Sequence, residues 1–521
     1  MNYQLSVPQV LEQAYLQSPE KEVIFDGYKR VTYEELYQSV QLMASALASK
    51  GIQKGDRVLV CLPNWHEFVT IYFGLAQIGA ILVPCNTRYM KEELQFILEN
   101  SGAKAIFLAE EYGHFEFLKP ILNKDGNFQH IFTVRFKDPE CTSYEELLEL
   151  GKKSEPPQVE IDSIEDVFSI LYTSGTTGHP KGAMLTHKNF VHTATVSAEC
   201  MNCTSNDVFL IAVPVFHCFG MIPGILTAIV VGGKMVFMEE FKAEKALTLI
   251  EQEKISVHHG VPTMFILELN HPSFKQFDLS SLRTGIIAAA PCPEEIVRKI
   301  RTIMGCDIVV SYGMTESSTT LTITGFEDDD FLRSETVGKA APGAEVKIVD
   351  NNRVELSPGV VGEIAAKSFG IMKGYFNSPE KTAEALDQDG WYYTGDLGTL
   401  DENGYLRIIG RKKEMIIRGG FNIYPREIEE ILYKHESVLE VAIVGLPDTV
   451  LGEITCAAIR LKPGKTEDQY SMKTYLKDKV ADFKIPDHFI FVEKLPVTAS
   501  GKIKKIALEQ ELKETLKPLL R

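Results

Sequence analysis

Short apolar runs alternate with amphipathic stretches near the start of the chain, and no other feature of the sequence restricts the fold as strongly. Residues 58–62 and 81–83 have the length and composition of buried strands. Thr32 with Glu35 three residues later predicts a capping box, and the helix that it starts is expected to run until Gly51. Residues 68–78 and 92–98 predict further helices. Because strands that alternate with helices of these lengths form parallel sheets covered by helices, the sequence predicts an α/β fold with parallel or mixed sheets.

The length of the chain predicts more than one domain. It has 521 residues, of which 45% are hydrophobic, and this exceeds what a single core normally organises. The segment GRKKEMIIRGGF, which begins at Gly410, joins a cationic cluster to a short apolar strand and two glycines. We predict a large domain at residues 1–411 and a small, mobile α+β domain at residues 412–521. Within the small domain, residues 440–444 and 454–461 predict strands, and residues 470–480 predict a helix.

A loop rich in glycine and hydroxyl groups follows the apolar run at residues 167–171, and it reads YTSGTTGHPKG. Gly175 and Gly178 allow backbone N–H groups to converge on an anion, and Lys181 adds a positive charge. The hydroxyl donors are Thr173, Ser174, Thr176 and Thr177. The spacing differs from that of a P-loop, because four residues do not separate the glycines. The loop is therefore predicted to hold phosphate, and a polar surface turn is the alternative.

Two segments in the middle of the chain suggest an organic pocket. PVFHCFG at residues 214–220 places His217 among aromatic and small residues at a predicted strand end. A lone histidine in such surroundings is more often a core residue. GIIAAAP at residues 285–291 leaves room for a flat ring or an acyl chain against the backbone, although an ordinary packed strand fits it equally well.

Three further motifs carry charged residues in predicted turns. In SYGMTES, Thr315 and Glu316 follow the predicted strand at residues 307–310, and a hydroxyl with a carboxylate suits magnesium on a polyphosphate. In WYYTGDL, Asp396 can accept two ribose hydroxyls, or it can cap the turn. In LPVTASGKIKK, Lys502 is expected to project from an exposed turn, although a solubilising surface lysine is the simpler reading.

Charge and cysteine content restrict the partners and the compartment. The net charge of −17 argues against nonspecific binding to nucleic acid or anionic lipid. Nine cysteines, an odd number, favour a reducing compartment, and the N-terminus lacks a basic targeting region, so a cytoplasmic location is expected. Residues 208–231 are uncharged and long enough for a membrane span, but prolines and glycines interrupt them. We predict a buried strand, a loop and a helix there, and no transmembrane segment.

In its motifs and in their order along the chain, the sequence resembles the acyl-adenylate-forming superfamily, especially its fatty acyl-CoA synthetases. The resemblance covers nearly the whole chain, and VTYEEL near the start also fits. It implies an ATP-dependent, AMP-forming acid:CoA ligase. Such an enzyme makes an acyl-adenylate and pyrophosphate, and then an acyl-CoA thioester and AMP. The substrates would be ATP, a small carboxylic acid and coenzyme A, with Mg²⁺ as the metal.

The resemblance also implies a role for each motif. The phosphates of ATP would contact Thr173, Ser174, Gly175, Thr176, Thr177, Gly178 and Lys181. The adenine would lie among Ala289, Ala290, Pro291 and Tyr312. Glu316 would bind magnesium and Thr315 a phosphate, while Asp396 and Arg411 would hold the ribose. Lys413 would be the hinge, Lys502 would bridge the carboxylate and the α-phosphate, and His217, Gly419 and Gly420 would serve the acyl and thiol substrates.

The exact acid is open at this stage, although medium- or long-chain fatty acids are expected. An aromatic or carnitine-like acid is the first alternative, and a catalytically silent acyl-nucleotide-binding protein is the second. Amino-acid activation is disfavoured, because relatives of that kind usually carry FDxS where this chain has Phe216, His217 and Cys218. Ser311 and Phe421 also depart from the family pattern, and they put only local contacts in doubt. A carrier-protein thiol could replace coenzyme A, and the resemblance leaves a homodimer open.

Overall fold

The structure is a computed structural model, and it describes residues 4–121, 128–173, 180–290, 292–497 and 503–516. Contacts divide the chain into two compact units. The first comprises Met1–Val346 with Ala366–Tyr392, and the second comprises Lys347–Ala365 with Tyr393–Arg521. The domain boundary predicted between residues 411 and 412 stays a prediction.

The helices and strands of the described residues have the following bounds. The α-helices are α1 (Val7–Gln17), α2 (Tyr33–Ser49), α3 (His66–Gln77), α4 (Lys91–Ser101), α5 (Phe115–Leu118), α6 (Tyr144–Gly151), α7 (His187–Cys200), α8 (Thr227–Val231), α9 (Ala243–Glu253), α10 (Pro262–Leu269), α11 (Glu294–Thr302), α12 (Asp330–Glu335), α13 (Pro379–Ala385), α14 (Pro425–Tyr433), α15 (Gln469–Leu476) and α16 (Lys505–Leu516). The strands are β1 (Glu22–Phe25), β2 (Arg30–Thr32), β3 (Arg57–Cys61), β4 (Ile81–Pro84), β5 (Ala105–Leu108), β6 (His130–Thr133), β7 (Thr142–Ser143), β8 (Val167–Thr173), β9 (Lys181–Thr186), β10 (Val208–Ile211), β11 (Lys234–Phe237), β12 (Val257–His258), β13 (Thr284–Ile287), β14 (Asp307–Tyr312), β15 (Thr322–Ile323), β16 (Lys339–Ala340), β17 (Glu345–Val349), β18 (Gly362–Lys367), β19 (Gly374–Tyr375), β20 (Tyr392–Leu400), β21 (Leu406–Arg411), β22 (Ile416–Arg418), β23 (Phe421–Ile423), β24 (Val438–Asp448), β25 (Gly452–Leu461) and β26 (His488–Phe491).

Two large mixed sheets form the first unit. One has the order β16-β15-β14-β13-β12-β10-β11-β1-β2, and it is parallel from β14 to β1. The other has the order β19-β9-β8-β4-β3-β5-β6-β7, in which β9 pairs antiparallel with both β8 and β19. The predicted α/β class, with a large N-terminal part of mixed sheets and helices, is confirmed.

The cores of the first unit follow the alternation of side chains along its strands. In β3, Val58 and Val60 belong to the main core, whereas Leu59 and Cys61 face a second cluster on the opposite side of the sheet. The helix α3 is buried along its length from His66 to Ala76, which explains why its sequence is apolar on nearly every side. The sheet is therefore covered on both faces, as continuous apolar strands require.

The second unit is built on a four-stranded sheet, β17-β18-β20-β21, and a five-stranded sheet, β23-β22-β25-β24 with β26 against β25. Val441 and Ile443 of β24 share a core with α14 and α15. The alternate residues Ala442 and Val444 share a core with α16. The five-stranded sheet thus carries helices on both faces, in agreement with the predicted α+β arrangement.

Several local predictions can be compared with the structure. Thr32 and Glu35 form the capping box of α2, in which the Thr32 hydroxyl accepts from the Glu35 N–H and the Glu35 carboxylate accepts from the Thr32 N–H. The helix predicted at residues 470–480 ends earlier, at Leu476, because the next residue, Lys477, has a non-helical ψ of 137°. Residues 208–231 form a strand, a loop, a π-helix at Gly220–Leu226 and α8. Among the described residues, no helix is both long and apolar enough to cross a bilayer.

Candidate active site

The predicted phosphate loop connects two antiparallel strands of the first unit. Thr173 ends β8 and Lys181 begins β9, and the two residues are paired across the hairpin. The Thr173 hydroxyl donates to the Lys181 carbonyl oxygen at 3.4 Å. The loop residues Ser174, Gly175, Thr176, Thr177 and Gly178 lie outside the described residues. Both described ends of the loop are therefore held in register by the sheet.

A tyrosine that the sequence analysis missed connects Lys181 with Glu316. The Lys181 ammonium lies 4.8 Å from the centre of the Tyr375 ring. The Tyr375 hydroxyl donates to the Glu316 carboxylate at 2.9 Å. Tyr375 reaches this position because the two-residue strand β19 pairs with β9, where Tyr375 lies opposite Ala183. Three segments that are far apart in the sequence thus bring a cation, a phenol and a carboxylate together.

The environment of Tyr375 keeps its hydroxyl protonated. Burial raises its pKa above the usual value, and the nearby Glu316 carboxylate raises it further. Burial raises the pKa of Tyr392 as well, again with a contribution from Glu316. Because both phenols stay neutral, Tyr375 can act as a permanent donor to Glu316. A strand of only two residues gives too short a pattern to be predicted from sequence.

Glu316 lies in a tight turn that follows β14. Thr315, Glu316 and Ser317 form one turn of 3₁₀-helix, and Glu316 is buried. The chain then adopts left-handed φ values of 54° at Ser318 and 91° at Thr319. Gly313 makes this turn possible, because a β-carbon there would lie 1.7 Å from the Thr319 carbonyl oxygen. Strained backbone of this kind is common where a functional side chain must be held in place.

The loop that carries His217 contacts the neighbouring residue Thr315 through Cys218. The Cys218 sulfur lies 3.7 Å from the Thr315 hydroxyl and 3.6 Å from His217 Nδ1. The backbone N–H of Phe219 donates to His217 Nδ1 at 3.2 Å, so a neutral His217 carries its proton on Nε2. His217 itself is exposed, which argues against a role as a core histidine.

Asn64 holds the start of the same loop, and the sequence analysis missed it. Its amide donates to the carbonyl oxygens of Ile211, Val213 and Met238 at 3.0–3.1 Å. Its side-chain oxygen accepts from the Val215 N–H at 2.9 Å. The buried amide therefore fixes the ends of β10 and β11. Its position just after β3, at the carboxyl edge of a parallel strand, is a signal that could have identified it.

The residues predicted to frame the adenine lie at the carboxyl ends of two adjacent strands. In the parallel pair β13 and β14, Ile287 is opposite Val310. Ala289 and Ala290 follow β13 and are exposed, and Tyr312 ends β14. Ala289 has a left-handed φ of 72°, which is costly for a residue with a side chain. Pro291 lies outside the described residues.

In the second unit, the structure brings Asp396 and Arg411 together. They are paired across β20 and β21, and Arg411 Nε lies 3.2 Å from Asp396 Oδ1. Asp396 is buried, and its backbone N–H donates to the Thr394 hydroxyl at 3.0 Å. The carboxylate and the guanidinium therefore form one polar group at the end of a hairpin of strands.

The junction that follows contains Lys413, Gly419 and Gly420. Lys413 lies in a 3₁₀ turn, Lys412–Glu414, and its side chain is exposed. Gly419 and Gly420 connect β22 with β23 and have φ values of 57° and 87°. Two consecutive left-handed residues define the hairpin turn that glycine favours. Lys502 lies outside the described residues.

The residues around Glu316 suit a magnesium ion that is shared with a polyphosphate. Magnesium is usually held by one or two carboxylates together with phosphate oxygens and water, and Glu316 with the Thr315 hydroxyl offers such hard oxygen ligands. In the part of the chain that the structure describes, the single cluster of three metal-ligating side chains is Asp26, His66 and Glu67. Arg135 donates to both of its carboxylates at 2.7–3.0 Å, so a cation already fills that cluster.

Comparisons with known proteins find relatives that match this chain over nearly its whole length. Residues 11–376 match the family model described as AMP-binding enzyme, and residues 427–502 match the AMP-binding enzyme C-terminal domain. YngI of Bacillus subtilis, provisionally named an acyl-CoA synthetase, is 40% identical over 97% of each chain. The medium-chain acyl-CoA ligase ACSF2 of Macaca fascicularis is 35% identical over 98% of this chain and 88% of that protein. ATP-bound MatB from Rhodopseudomonas palustris superposes with a TM-score of 0.88 at 29% identity, covering 98% of this chain and 100% of that chain.

Proposed function

Since the chain belongs to the AMP-binding enzyme family and is an ATP-dependent acyl-CoA ligase, we propose that it activates medium- or long-chain fatty acids. The preference for a fatty acid is supported by the name of the relative ACSF2, with which the chain shares 35% identity over nearly its whole length. The observation that carries the catalytic part of the proposal is the array of Lys181, Tyr375 and Glu316, joined by contacts of 4.8 and 2.9 Å.

In the proposed first step, a carboxylate oxygen of the acid attacks the α-phosphorus of ATP. The bond between this phosphorus and the bridging oxygen breaks, and pyrophosphate leaves with the bonding electrons. Because both reactants are anions, the site must offset their repulsion with fixed positive charge. Lys181 would contact the departing phosphates and Lys502 the carboxylate and α-phosphate. Glu316, oriented by Tyr375, would hold the magnesium ion, which neutralises phosphate charge when bound.

The remaining residues are assigned to binding. Asp396 and Arg411 would hold the ribose, and Ala289, Ala290, Pro291 and Tyr312 would frame the adenine. Thr173 and the hydroxyls of the loop would donate to the β- and γ-phosphates, and Thr315 to another phosphate oxygen. His217 would contact the acyl substrate, next to the Cys218 thiol that touches Thr315. These assignments extend the family pattern residue by residue onto the contacts described above.

In the proposed second step, the thiolate of coenzyme A attacks the carbonyl carbon of the acyl-adenylate. A carbon–sulfur bond forms, and AMP leaves with the electrons of the broken carbon–oxygen bond. The turn of Gly419 and Gly420 would lie along the path of the pantetheine arm. Lys413 would be the hinge at which the C-terminal part of the chain changes its arrangement between the two steps.

The test is a panel of acids with the full-length chain, ATP and magnesium, in which AMP release is measured with and without coenzyme A. Straight-chain fatty acids of graded length, aromatic acids and carnitine are compared. We expect the largest kcat/KM for a medium- or long-chain fatty acid, with continuous AMP release that needs coenzyme A. If an aromatic acid or carnitine gave the highest kcat/KM, that acid, and not a fatty acid, would be the substrate. Absence of pyrophosphate exchange with every acid would indicate a protein that only binds acyl-nucleotides.

A further inference from the structure

A fully buried histidine connects two segments of the first unit that the proposed function assigns to different substrates. His259 follows β12 and is completely buried. Its Nδ1 accepts from the Ile286 N–H of β13 at 3.1 Å, and its Nε2 lies 3.0 Å from the Pro223 carbonyl oxygen of the π-helix Gly220–Leu226. Because Nδ1 accepts, the neutral ring carries its proton on Nε2 and donates it to Pro223. One tautomer of His259 therefore makes both hydrogen bonds.

The surroundings of His259 keep the ring neutral and fix its orientation. Burial, with a smaller contribution from the neighbouring His258, lowers the pKa of His259 to about 3. The ring is therefore uncharged throughout the physiological range. Its centre lies 6.1 Å from the centre of the Phe209 ring in β10 and 5.9 Å from that of Phe219, the residue before the π-helix. The imidazole is thus held between two aromatic rings while it makes its two hydrogen bonds.

The hydrogen bond to Ile286 supports the end of β13, where the backbone is strained. Ile286 stands three residues before Ala289, whose left-handed φ of 72° is costly for a residue with a side chain. The residue after His259 binds the same segment, since the Gly260 N–H donates to the Ile286 carbonyl oxygen at 3.0 Å and the Ala288 N–H donates to the Gly260 carbonyl oxygen at 3.3 Å. A strained conformation persists only where its surroundings hold it. His259 and Gly260 supply part of that support.

The hydrogen bond to Pro223 holds the segment that follows His217. The π-helix begins at Gly220, three residues after His217. A β-carbon on Gly220 would lie 2.2 Å from the Pro214 carbonyl oxygen, so the helix starts in close contact with the loop that carries His217. A displacement of the π-helix would therefore also displace His217.

We propose that His259 is a positioning residue that fixes the acyl-binding segment relative to the adenine-binding end of β13. The proposal rests on the proposed function, which assigns His217 to the acid and assigns Ala289 and Ala290 to the adenine. Adenylation requires the attacking carboxylate oxygen and the α-phosphorus to approach within about 3–3.5 Å, so both substrates must be placed by one rigid framework. His259 contributes to that framework without contacting either substrate.

The two hydrogen bonds can be removed one at a time in the full-length chain. In His259→Asn, the side-chain oxygen takes the place of Nδ1 and can still accept from Ile286, but the side chain is too short to reach Pro223. In His259→Gln, the amide nitrogen takes the place of Nε2 and can still donate to Pro223, but Ile286 loses its acceptor. The same two substitutions at His130 are the matched control. His130 is a half-buried histidine at the amino end of β6, and its Nε2 lies 2.9 Å from the Lys50 carbonyl oxygen.

The measurement is the KM for each substrate in pyrophosphate exchange, with the acid that gives the highest kcat/KM in the panel. His259→Asn should raise the KM for the acid roughly tenfold, about the effect of one buried hydrogen bond, and should leave the KM for ATP nearly unchanged. His259→Gln should raise the KM for ATP by a similar factor and leave the KM for the acid nearly unchanged. Both His130 variants should change neither. Parallel changes of the two KM values in both His259 variants, or no change in either variant, would overturn the positioning role.

Amide hydrogen exchange provides a readout that does not depend on activity. Exchange at Ile286 should be about tenfold faster in His259→Gln and unchanged in His259→Asn, because local opening governs such exchange. The amides of residues 224–228 should show the reverse. Exchange that is the same in the two variants at both places would overturn the proposal. If the unaltered protein shows no pyrophosphate exchange with any acid, the proposed function fails, while the hydrogen-exchange comparison still decides whether His259 connects the two segments.

Discussion

Tyr375 and Glu316 show how one neutral side chain can hold a charged one at the proposed metal position. Glu316 is buried, and its carboxylate accepts from the Tyr375 hydroxyl at 2.9 Å. Hydrogen bonds to charged groups contribute about 1.5–3 kcal/mol, which is enough to select one orientation of the carboxylate. Tyr375 would therefore orient the metal ligand without contacting the metal.

The first prediction concerns this pair. Glu316→Gln keeps the shape of the side chain but removes its charge, so the magnesium titration of pyrophosphate exchange should shift to higher concentration. Tyr375→Phe should reduce pyrophosphate exchange roughly tenfold, the equivalent of one charged hydrogen bond at the lower end of its range. The shift in the magnesium titration should be smaller than for Glu316→Gln, because the carboxylate remains.

Tyr33→Phe is the matched control for the phenol. Tyr33 is a buried tyrosine of the same unit whose hydroxyl donates to the Gly233 carbonyl oxygen at 2.8 Å. Its removal should lower thermal stability and leave the magnesium titration unchanged. A magnesium titration that is the same in Glu316→Gln and in the unaltered protein would remove Glu316 from the metal site.

At the residue scale, the sequence proposed the charged members of the site, whose roles stay predictions, but it did not point to Tyr375, which contacts two of them. Thr315, Glu316 and Asp396 stand in motifs whose residue types already suggest their chemistry. Tyr375 carries no such signal, because its contacts with Lys181 and Glu316 depend on the pairing of β19 with β9. Asn64 offers only its position just after β3, and its four hydrogen bonds join it to residues far along the chain. Ser174, Gly175, Thr176, Thr177, Gly178, Pro291 and Lys502 lie outside the described residues, so their roles stay predictions.

At the scale of elements, the turn between β22 and β23 allows the backbone strain at a glycine to be distinguished from its contacts with other atoms. A β-carbon on Gly420 would meet no atom within 4 Å, so its positive φ is the only constraint within the second unit. The same holds for Gly464, which has a φ of 78° in another loop of the unit. The two glycines are therefore equivalent in strain and differ only in their surroundings.

The second prediction uses this equivalence. Gly420→Leu and Gly464→Leu should each lower the free energy of unfolding by about 1–2 kcal/mol, the cost of a left-handed residue with a side chain. Only Gly420→Leu should also slow the conversion of supplied acyl-adenylate and coenzyme A to the thioester, since a leucine there would fill the path proposed for the pantetheine arm. Pyrophosphate exchange should remain near normal in both. Equal effects of the two variants on thioester formation would show that Gly420 has no role beyond its turn.

Elements with strong local signals were predicted well, and those that depend on tertiary contacts were not. The capping box of Thr32 and Glu35 places the start of α2 correctly. The π-helix Gly220–Leu226 could not be foreseen, because Pro223 interrupts it and the buried His259 lies 3.0 Å from the carbonyl oxygen of Pro223. His259 follows β12 and is 36 residues from Pro223, so the sequence around the π-helix gives no sign of this contact.

At the scale of the whole molecule, the proposed two-step reaction requires the chain to adopt two arrangements. Hinges concentrate rotation in a few backbone angles. Both neighbours of Lys413 form ion pairs, Lys412 with Glu363 at 2.8 Å and Glu414 with Lys505 at 3.0 Å. A substitution that restricts backbone rotation at Lys413 should therefore hinder the change between the two arrangements more than it disturbs either arrangement.

The third prediction is that Lys413→Pro separates the two half-reactions. Proline fixes φ near about −65°, so the variant should be held in one arrangement, and we expect the adenylating one. Pyrophosphate exchange should be near normal, and thioester formation should be strongly reduced. Lys413→Ala, which keeps backbone freedom, should support both. If both half-reactions fall in parallel in folded Lys413→Pro, or if neither falls, the two-arrangement mechanism does not apply to this chain.

The general architecture was predictable from the alternation of strands and helices, because local periodicity determines it. The pairing of Lys412 with Glu363 and of Lys505 with Glu414 was not predictable, since charged residues are frequent on any surface and only the fold selects the partners.

The hairpin that begins and ends the phosphate loop has a consequence for how anions are held. Many phosphate sites place the anion at the N-terminus of a helix, where the aligned peptide dipoles supply about half a positive charge. Here the loop is followed by strand β9, which begins at Lys181 and contributes no such macrodipole. The proposed attraction for phosphate would then come from discrete side-chain and backbone donors, and Lys181 would supply a full positive charge at the end of the loop.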